Sequence, residues 1–179
     1  DNYFEQQGSG APIVFIHGSY ASTSTWKKMV EQLAVNHHCI SIKLPCHGVP
    51  DPNDFSDPSV ETELSIIEQV VHTVTNEPIH LVGHSYGGVV ALAQALKGNL
   101  ALSQMTLFEP VAVWLLYIMK DTEMSGRIER FLKKYRHDVS HKIPYSCSQV
   151  IDFWGGEGAF EPLPNFIKDS METLVINNI

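Results

Sequence analysis

Residues 83 to 88 read Gly83-His84-Ser85-Tyr86-Gly87-Gly88. The apolar run Ile79-His80-Leu81-Val82 precedes them, and Val89 to Leu96 follow as a second apolar stretch. This order predicts a strand, a G-x-S-x-G turn and a helix. A chain carrying it must bring a strand and a helix almost into contact. Gly83 and Gly87 remove the Cβ atoms that would collide there, and Gly88 adds a third small residue. Ser85 is left at the apex, at the positive end of the helix dipole. A serine hydroxyl is a poor nucleophile unless it is held exposed beside a base. The turn therefore marks Ser85 as a candidate nucleophile. His84 points the other way along an extended chain and is expected to pack and hydrogen-bond.

Ile13-Val14-Phe15-Ile16 is a short continuous apolar run and reads as a fully buried strand. It ends in His17-Gly18-Ser19-Tyr20. Acyl transfer at a serine needs backbone N–H donors aimed at the developing oxyanion. The residue after the nucleophile, Tyr86, supplies one in a turn of this type, and Ser19 supplies the second from the earlier loop. Gly18 lets that loop approach closely. His17 is expected to tie the loop together by hydrogen bonds.

With these pieces in place, the chain resembles the α/β-hydrolase superfamily, and within it the small, capped, esterase-like members. The His17-Gly18 loop and the Gly83 to Gly88 turn carry the resemblance. Leu44-Pro45-Cys46-His47-Gly48 resembles the family's L-P-G-H-G stretch, with Cys46 where glycine is usual. Met105 to Pro110 resembles the strand after the elbow helix. The likeness covers residues 3 to 110 well and the remainder loosely.

Strand and helix alternate through this part. Tyr3 to Gln6, Ile13 to Ile16 and Cys39 to Leu44 read as strands. Trp26 to Ala34 reads as a helix capped from Ser22 to Thr25. Its apolar face holds Trp26, Met29, Val30 and Leu33. His47 to Pro58 is a loop rich in proline, glycine and aspartate. Val60 to Thr75 is a helix with Leu64, Ile67, Val70, Val71 and Val74 at helical spacing. Gly98 is a plausible C-cap of the elbow helix. The expected fold is α/β, a doubly wound and mostly parallel sheet. Ser19, His47, Ser85 and Glu109 all fall at or just after the carboxyl ends of strands, where such sheets bind ligands.

After Pro110 the pattern becomes helical: Val111 to Met119, Glu123 to Tyr135, Cys147 to Trp154 and Phe166 to Asn177. Leu174-Val175-Ile176 alone is ambiguous. The expected division is 1–110 as the N-terminal part of the hydrolase core and 111–179 as a helical cap. The resemblance implies that the cap shapes the substrate pocket. Trp114, Tyr117, Met119, Phe153, Trp154 and Phe160 are candidate walls, each of which also suits plain core. Gly155-Gly156-Glu157-Gly158 lacks the lysine and the strand-to-helix setting of a phosphate loop and reads as a turn. The basic residues from Arg127 to Arg136 suit a solvated helix face.

The resemblance implies the chain order Ser, then Asp or Glu, then His. Downstream of Ser85 the aspartates Asp121, Asp138, Asp152 and Asp169 all lie in or beside expected cap helices. His137 and His141 sit in a polar stretch, not after a buried strand. The acid, the base and the last strands are therefore expected beyond residue 179. Two alternatives stay open. Glu109 either supplies the acid or simply ends its strand with Pro110, and His137 or His141 could fold back from the cap as base.

The net charge of −8 argues against a nucleic-acid partner. Three cysteines without metal-type spacing suit free thiols in a reducing, cytoplasmic setting. No apolar stretch reaches a membrane span. No cofactor or metal is expected. The partner is a small-molecule substrate: an ester or a related acyl compound, with thioesters, amides and C–C bonds of diketones still open. Serine at the apex disfavours the branches of the superfamily that use aspartate there. The competing function is a non-catalytic, receptor-like module that binds a small ligand on a hydrolase scaffold.

Overall fold

Side chains alternate across a strand, so Ile13 and Phe15 face one way and Val14 and Ile16 the other. All four are buried, the last three at 0% exposure. A strand buried on both faces belongs at the centre of a sheet covered on both sides. The computed structural model describes residues 3–45 and 60–175, and this strand lies at the middle of its sheet. The strands are β1 (Phe4–Gln7), β2 (Ala11–Ile16), β3 (His37–Ile42), β4 (Ile79–His84) and β5 (Leu102–Phe108), in spatial order β1-β3-β2-β4-β5. β2 to β5 run parallel, and β1 pairs antiparallel with β3 at one edge. The fold is the expected α/β arrangement with a mostly parallel sheet.

Three helices cover the sheet: α1 (Lys27–Leu33), α2 (Val60–Val74) and α3 (Tyr86–Lys97). On one face, Val14, Ile16, Ile40, Ile42 and Leu81 pack with Leu64, Ile67 and Val71 of α2 and with Val90 and Ala91 of α3. On the other, Ile13, Phe15, Cys39 and Val82 pack with Trp26, and Met29, Val30 and Leu33 lie against them. Each fully buried Ile or Leu contributes about 1.5–3 kcal/mol relative to exposure. The two faces together dominate the stability of this unit. Gly98 ends α3 at φ 73°, the left-handed C-cap that its glycine predicts.

Element ends differ from the sequence expectation. β3 begins at His37, two residues early, because His37 and His38 pair with Ala11 and Pro12. The capped helix from Trp26 is two pieces. A 3₁₀ turn spans Thr23–Trp26, with Ser22 accepting from the Ser24 N–H, and α1 follows. The expected loop from His47 to Pro58, together with Cys46, lies outside the described residues.

The chain divides into two compact units, Asp1–Val111 and Ala112–Ile179. The second unit carries four helices in its described part, joined by turns: α4 (Trp114–Ile118), α5 (Thr122–Ser140), α6 (Ser148–Gly155) and α7 (Asn165–Leu174). Its buried residues are chiefly Ile128, Tyr135, Val139, Cys147, Phe160 and Val175. Phe131 stacks on Phe153 at 4.3 Å. α5 runs five residues past its expected end, because Val139 continues the buried stripe of Ile128 and Tyr135. Among the expected pocket walls, Phe160 is buried, while Trp114, Tyr117, Met119 and Trp154 are exposed. Gly156 and Gly158 take φ values of 100° and 79°, as a turn requires. No helix among the described residues is long and apolar enough to cross a membrane.

Candidate active site

β4 delivers the chain to Ser85, and α3 carries it away from Tyr86. Ser85 sits between them at φ 53°, ψ −120°, a conformation that L-residues rarely adopt. Its neighbours fix that conformation. The Ser85 N–H donates to Phe108 O at 3.0 Å, extending the β4–β5 ladder by one bond. Its carbonyl accepts from Gly88 N–H at 3.0 Å and Val89 N–H at 3.3 Å, starting the helix, and from Val111 N–H at 3.4 Å. Ser85 is half-buried, and its Oγ forms no hydrogen bond among the described residues.

The glycines are required by contact. A Cβ on Gly83 would lie 2.4 Å from Gly87 O, and one on Gly87 would lie 2.3 Å from His17 O. One on Gly88 would meet Pro110 Cβ at 2.9 Å. Gly18 is the counterpart from the earlier loop: its Cβ would sit 3.0 Å from Ser85 Cβ and 3.3 Å from His84 O. The His17–Tyr20 loop therefore runs directly beside the serine. This follows from register, because Ile16 pairs with Gly83 and the two strands end at the same edge. Ser19, half-buried, comes one residue after the point of closest approach.

His17 is fully buried and bridges two segments. The Leu44 N–H can only donate, so His17 Nε2 accepts from it at 3.3 Å. Nδ1 then carries the proton and donates to Gly18 O at 2.9 Å. The ring is thus held in one neutral tautomer that pins the loop to the end of β3. His84 departs from expectation. Its Nδ1 is buried without a hydrogen-bond partner among the described residues, on the side facing Gly18. Packing against the loop takes precedence there over hydrogen bonding. Glu109 follows β5 at φ 46° and is exposed, with no hydrogen bond or ion pair among the described residues. His47 lies outside the described residues. His137 lies on α5 and His141 follows its last residue as the C-cap, both in the second unit, and their rings stack.

Sequence reading missed Glu63. It is 8% exposed on α2, and its Oε2 accepts the Tyr86 hydroxyl at 2.7 Å. Burial pushes its carboxyl up to about 7, and the Tyr86 hydrogen bond opposes the rise. The readable signal was an acid at a position sharing the buried stripe of Ile67 and Val70. A cavity of about 480 Å³ opens elsewhere, between β1, β3 and α1, and is lined by Glu5, Gln7, Lys27, Cys39 and Ser41 rather than by the elbow. Among the described residues no group of three or more His, Cys, Asp or Glu side chains is placed to hold a metal ion.

Known proteins are similar to this chain in fold and in sequence. The structure has the fold of MenH from S. aureus, with a TM-score of 0.72 at 18% identity, covering 99% of this chain and 70% of that one. Over 96 residues it is 32% identical to the (E)-2-((N-methylformamido)methylene)succinate hydrolase of Acinetobacter baylyi, covering 50% of this chain and 33% of the relative. Over 133 residues it is 29% identical to monoacylglycerol lipase abhd6-A of Xenopus laevis, covering 70% of this chain and 40% of the relative. The chain thus spans between a third and two fifths of the length of these curated relatives. Residues 13–168 match the profile of the alpha/beta hydrolase family. Because that match begins in the central strand and runs into the last helix, the chain belongs to the alpha/beta hydrolase family.

Proposed function

We propose that the protein is a serine hydrolase acting on small esters or related acyl compounds. The observation that carries the proposal is Ser85 at φ 53°, held beside the Gly18 loop with its hydroxyl making no hydrogen bond among the described residues. Ser85 Oγ attacks the acyl carbonyl, and the tetrahedral intermediate collapses with cleavage of the bond to the alkoxy group, releasing the alcohol and leaving an acyl-enzyme. The N–H groups of Tyr86 and Ser19 receive the oxyanion, and the N-terminal dipole of α3 adds to their field. His17, Gly18, Gly83, His84, Gly87 and Gly88 hold the two loops in place. Water then releases the acid. A histidine must take the serine proton and hand it to the leaving alcohol, then take a proton from the attacking water and return it to Ser85 Oγ, with a carboxylate orienting it. Glu109, at the carboxyl end of β5, is one source of that carboxylate. The helical stretch 111–179 is the counterpart of the family's cap. The named hydrolase and lipase relatives support a hydrolytic reaction.

The test is labelling by a fluorophosphonate probe, with p-nitrophenyl acetate as substrate, on protein expressed from its complete reading frame. Ser85→Ala should abolish labelling and lower kcat/KM by at least about 10³-fold. Labelling that survives Ser85→Ala refutes the assignment. Absence of labelling in a protein that still binds small ligands would instead favour a receptor-like role.

A further inference from the structure

The register of β1 sets Glu5 opposite Ser41 and Gln7 opposite Cys39. Side chains alternate across a strand, so these four share the face on which Cys39 packs with Trp26. α1 covers only part of that face. Its apolar residues Met29, Val30 and Leu33 lie against the cluster of Ile13, Phe15, Cys39 and Val82. Lys27 and Glu31 stand on the flank of the helix beside Val30. The cavity of about 480 Å³ lies between this flank and β1, with buried Cys39 and Ser41 as its floor. Ser41 is only 6% exposed, and its hydroxyl makes no hydrogen bond among the described residues. A buried hydroxyl is almost always paired, so this one calls for a partner from the cavity. Lys27 and Glu31 are exposed at the rim, and neither makes an ion pair or side-chain hydrogen bond among the described residues. Glu5 is engaged, with Lys43 Nζ at 3.2 Å. A hydrogen bond from Thr23, and then Lys43, hold its carboxyl below the usual range against the effect of burial.

We propose that this cavity binds a free α-amino acid with an uncharged polar side chain, its carboxylate on Lys27, its ammonium on Glu31 and its side chain on Ser41 and Gln7. The charges select the class. Lys27 and Glu31 cancel, and so do Glu5 and Lys43, so a simple anion or cation meets no net field. A zwitterion meets a counter-charge at each end. Lys27 and Glu31 are one helical turn apart, about 5–6 Å between Cβ atoms. The ammonium and carboxylate of an α-amino acid hang from one carbon, so both are met at once. The side chain then lies over Val30 and Cys39 and reaches Ser41 and Gln7, which exchange hydrogen bonds with a hydroxyl or carboxamide. A charged side chain finds no counter-charge left over. A neutral polyol satisfies Ser41 but leaves Lys27 and Glu31 unmatched. The volume lies within the range of about 300–1,000 Å³ common for small-molecule sites. No residue of the Ser85 elbow lines the cavity, so the site is independent of the hydrolytic reading.

The test is titration of protein expressed from its complete reading frame with L-glutamine, L-asparagine, L-serine and L-threonine, by calorimetry and by amide chemical shifts. At least one should bind with a Kd of about 1 mM or tighter. The shifts should centre on Gln7, Lys27, Glu31 and Ser41. N-acetylation of that amino acid removes its ammonium and amidation removes its carboxylate, and each should weaken binding at least about tenfold. Lys27→Met and Glu31→Gln should do the same, and Ser41→Ala should weaken it at least about threefold. Lys28→Met, on the same helix but outside the cavity lining, should leave it unchanged. Lys27, Lys28 and Glu31 are exposed, so these variants keep the fold even if Ser41→Ala does not. Failure of all four amino acids to bind overturns the proposal. So does glycerol binding as tightly as the best of them, or undiminished affinity in the Lys27→Met/Glu31→Gln double variant.

Discussion

The Tyr86 hydroxyl donates to Glu63 Oε2 across 2.7 Å, tying the residue after the candidate nucleophile to the first turn of α2. The carboxyl that accepts is buried and titrates near 7 instead of the usual 4.5. Below pH 4.5 it is protonated both folded and unfolded. Between 4.5 and about 7 the unfolded chain has lost the proton that the folded protein keeps, so stability falls as pH rises through this window. The full loss is on the order of 3 kcal/mol. Glu63→Gln mimics the protonated form and should remove this component. Urea unfolding at pH 5 and pH 8 checks it. A parallel pH response in parent and variant would show that Glu63 is not held protonated.

Two glycines should respond oppositely to alanine. In Gly87→Ala the new methyl lies 2.3 Å from His17 O and 2.4 Å from Ile16 O, both backbone atoms of the sheet edge. Neither can retreat without separating the elbow from β2. The cost should exceed about 3 kcal/mol, and the variant should be unfolded or nearly so. In Gly126→Ala the nearest atom is Arg130 Nη1 at 3.4 Å, the far end of a flexible side chain. Replacing glycine inside α5 should stabilise by about 1 kcal/mol. Thermal unfolding of both variants distinguishes contact from propensity.

His17→Ala should cost about 1–3 kcal/mol, because the Leu44 N–H is left buried without its acceptor. The loop beside Ser85 loses its anchor to β3 at the same time. Amide hydrogen exchange should therefore speed up at Gly18 and Ser19 more than in β4. Uniform acceleration across the sheet would mean that His17 supports global stability and not the loop.

The elbow was legible because its steric demand is local. Glycines at 83 and 87, a buried strand before them and an apolar helix after them leave one way to fold. The central strand was legible for a related reason: an unbroken apolar run at Ile13 to Ile16 has to be covered on both faces. Glu63 was not legible as a partner of Tyr86, because that contact joins two helices and depends on how they cross. The extension of α5 to Ser140 was hidden by the polar composition of 133–140, where Tyr135 and Val139 alone carry the buried stripe. Glu109 shows the limit most clearly. Its place after β5 follows from pattern, but its exposure and its φ of 46° depend on the edge strand that ends beside it.

The last prediction concerns the strain at Ser85. A non-glycine residue at φ 53°, ψ −120° costs on the order of 1–3 kcal/mol and persists only when its surroundings over-determine it. Here the Phe108 O bond on one side and the Gly88 and Val89 bonds on the other do so. Ser85→Gly removes the Cβ that is strained. It also gives the unfolded chain more freedom, which costs about 0.5–1 kcal/mol. The net expectation is stabilisation of about 1 kcal/mol. Ser85→Ala keeps the Cβ and the strain, so its stability should stay within about 0.5 kcal/mol of the parent. Both variants should lose reaction with a fluorophosphonate. Urea midpoints that rank Ser85→Gly above Ser85→Ala and the parent would show that the candidate nucleophile's position is held at the expense of the fold. Equal midpoints for the two variants would show that the elbow stores no strain in its serine.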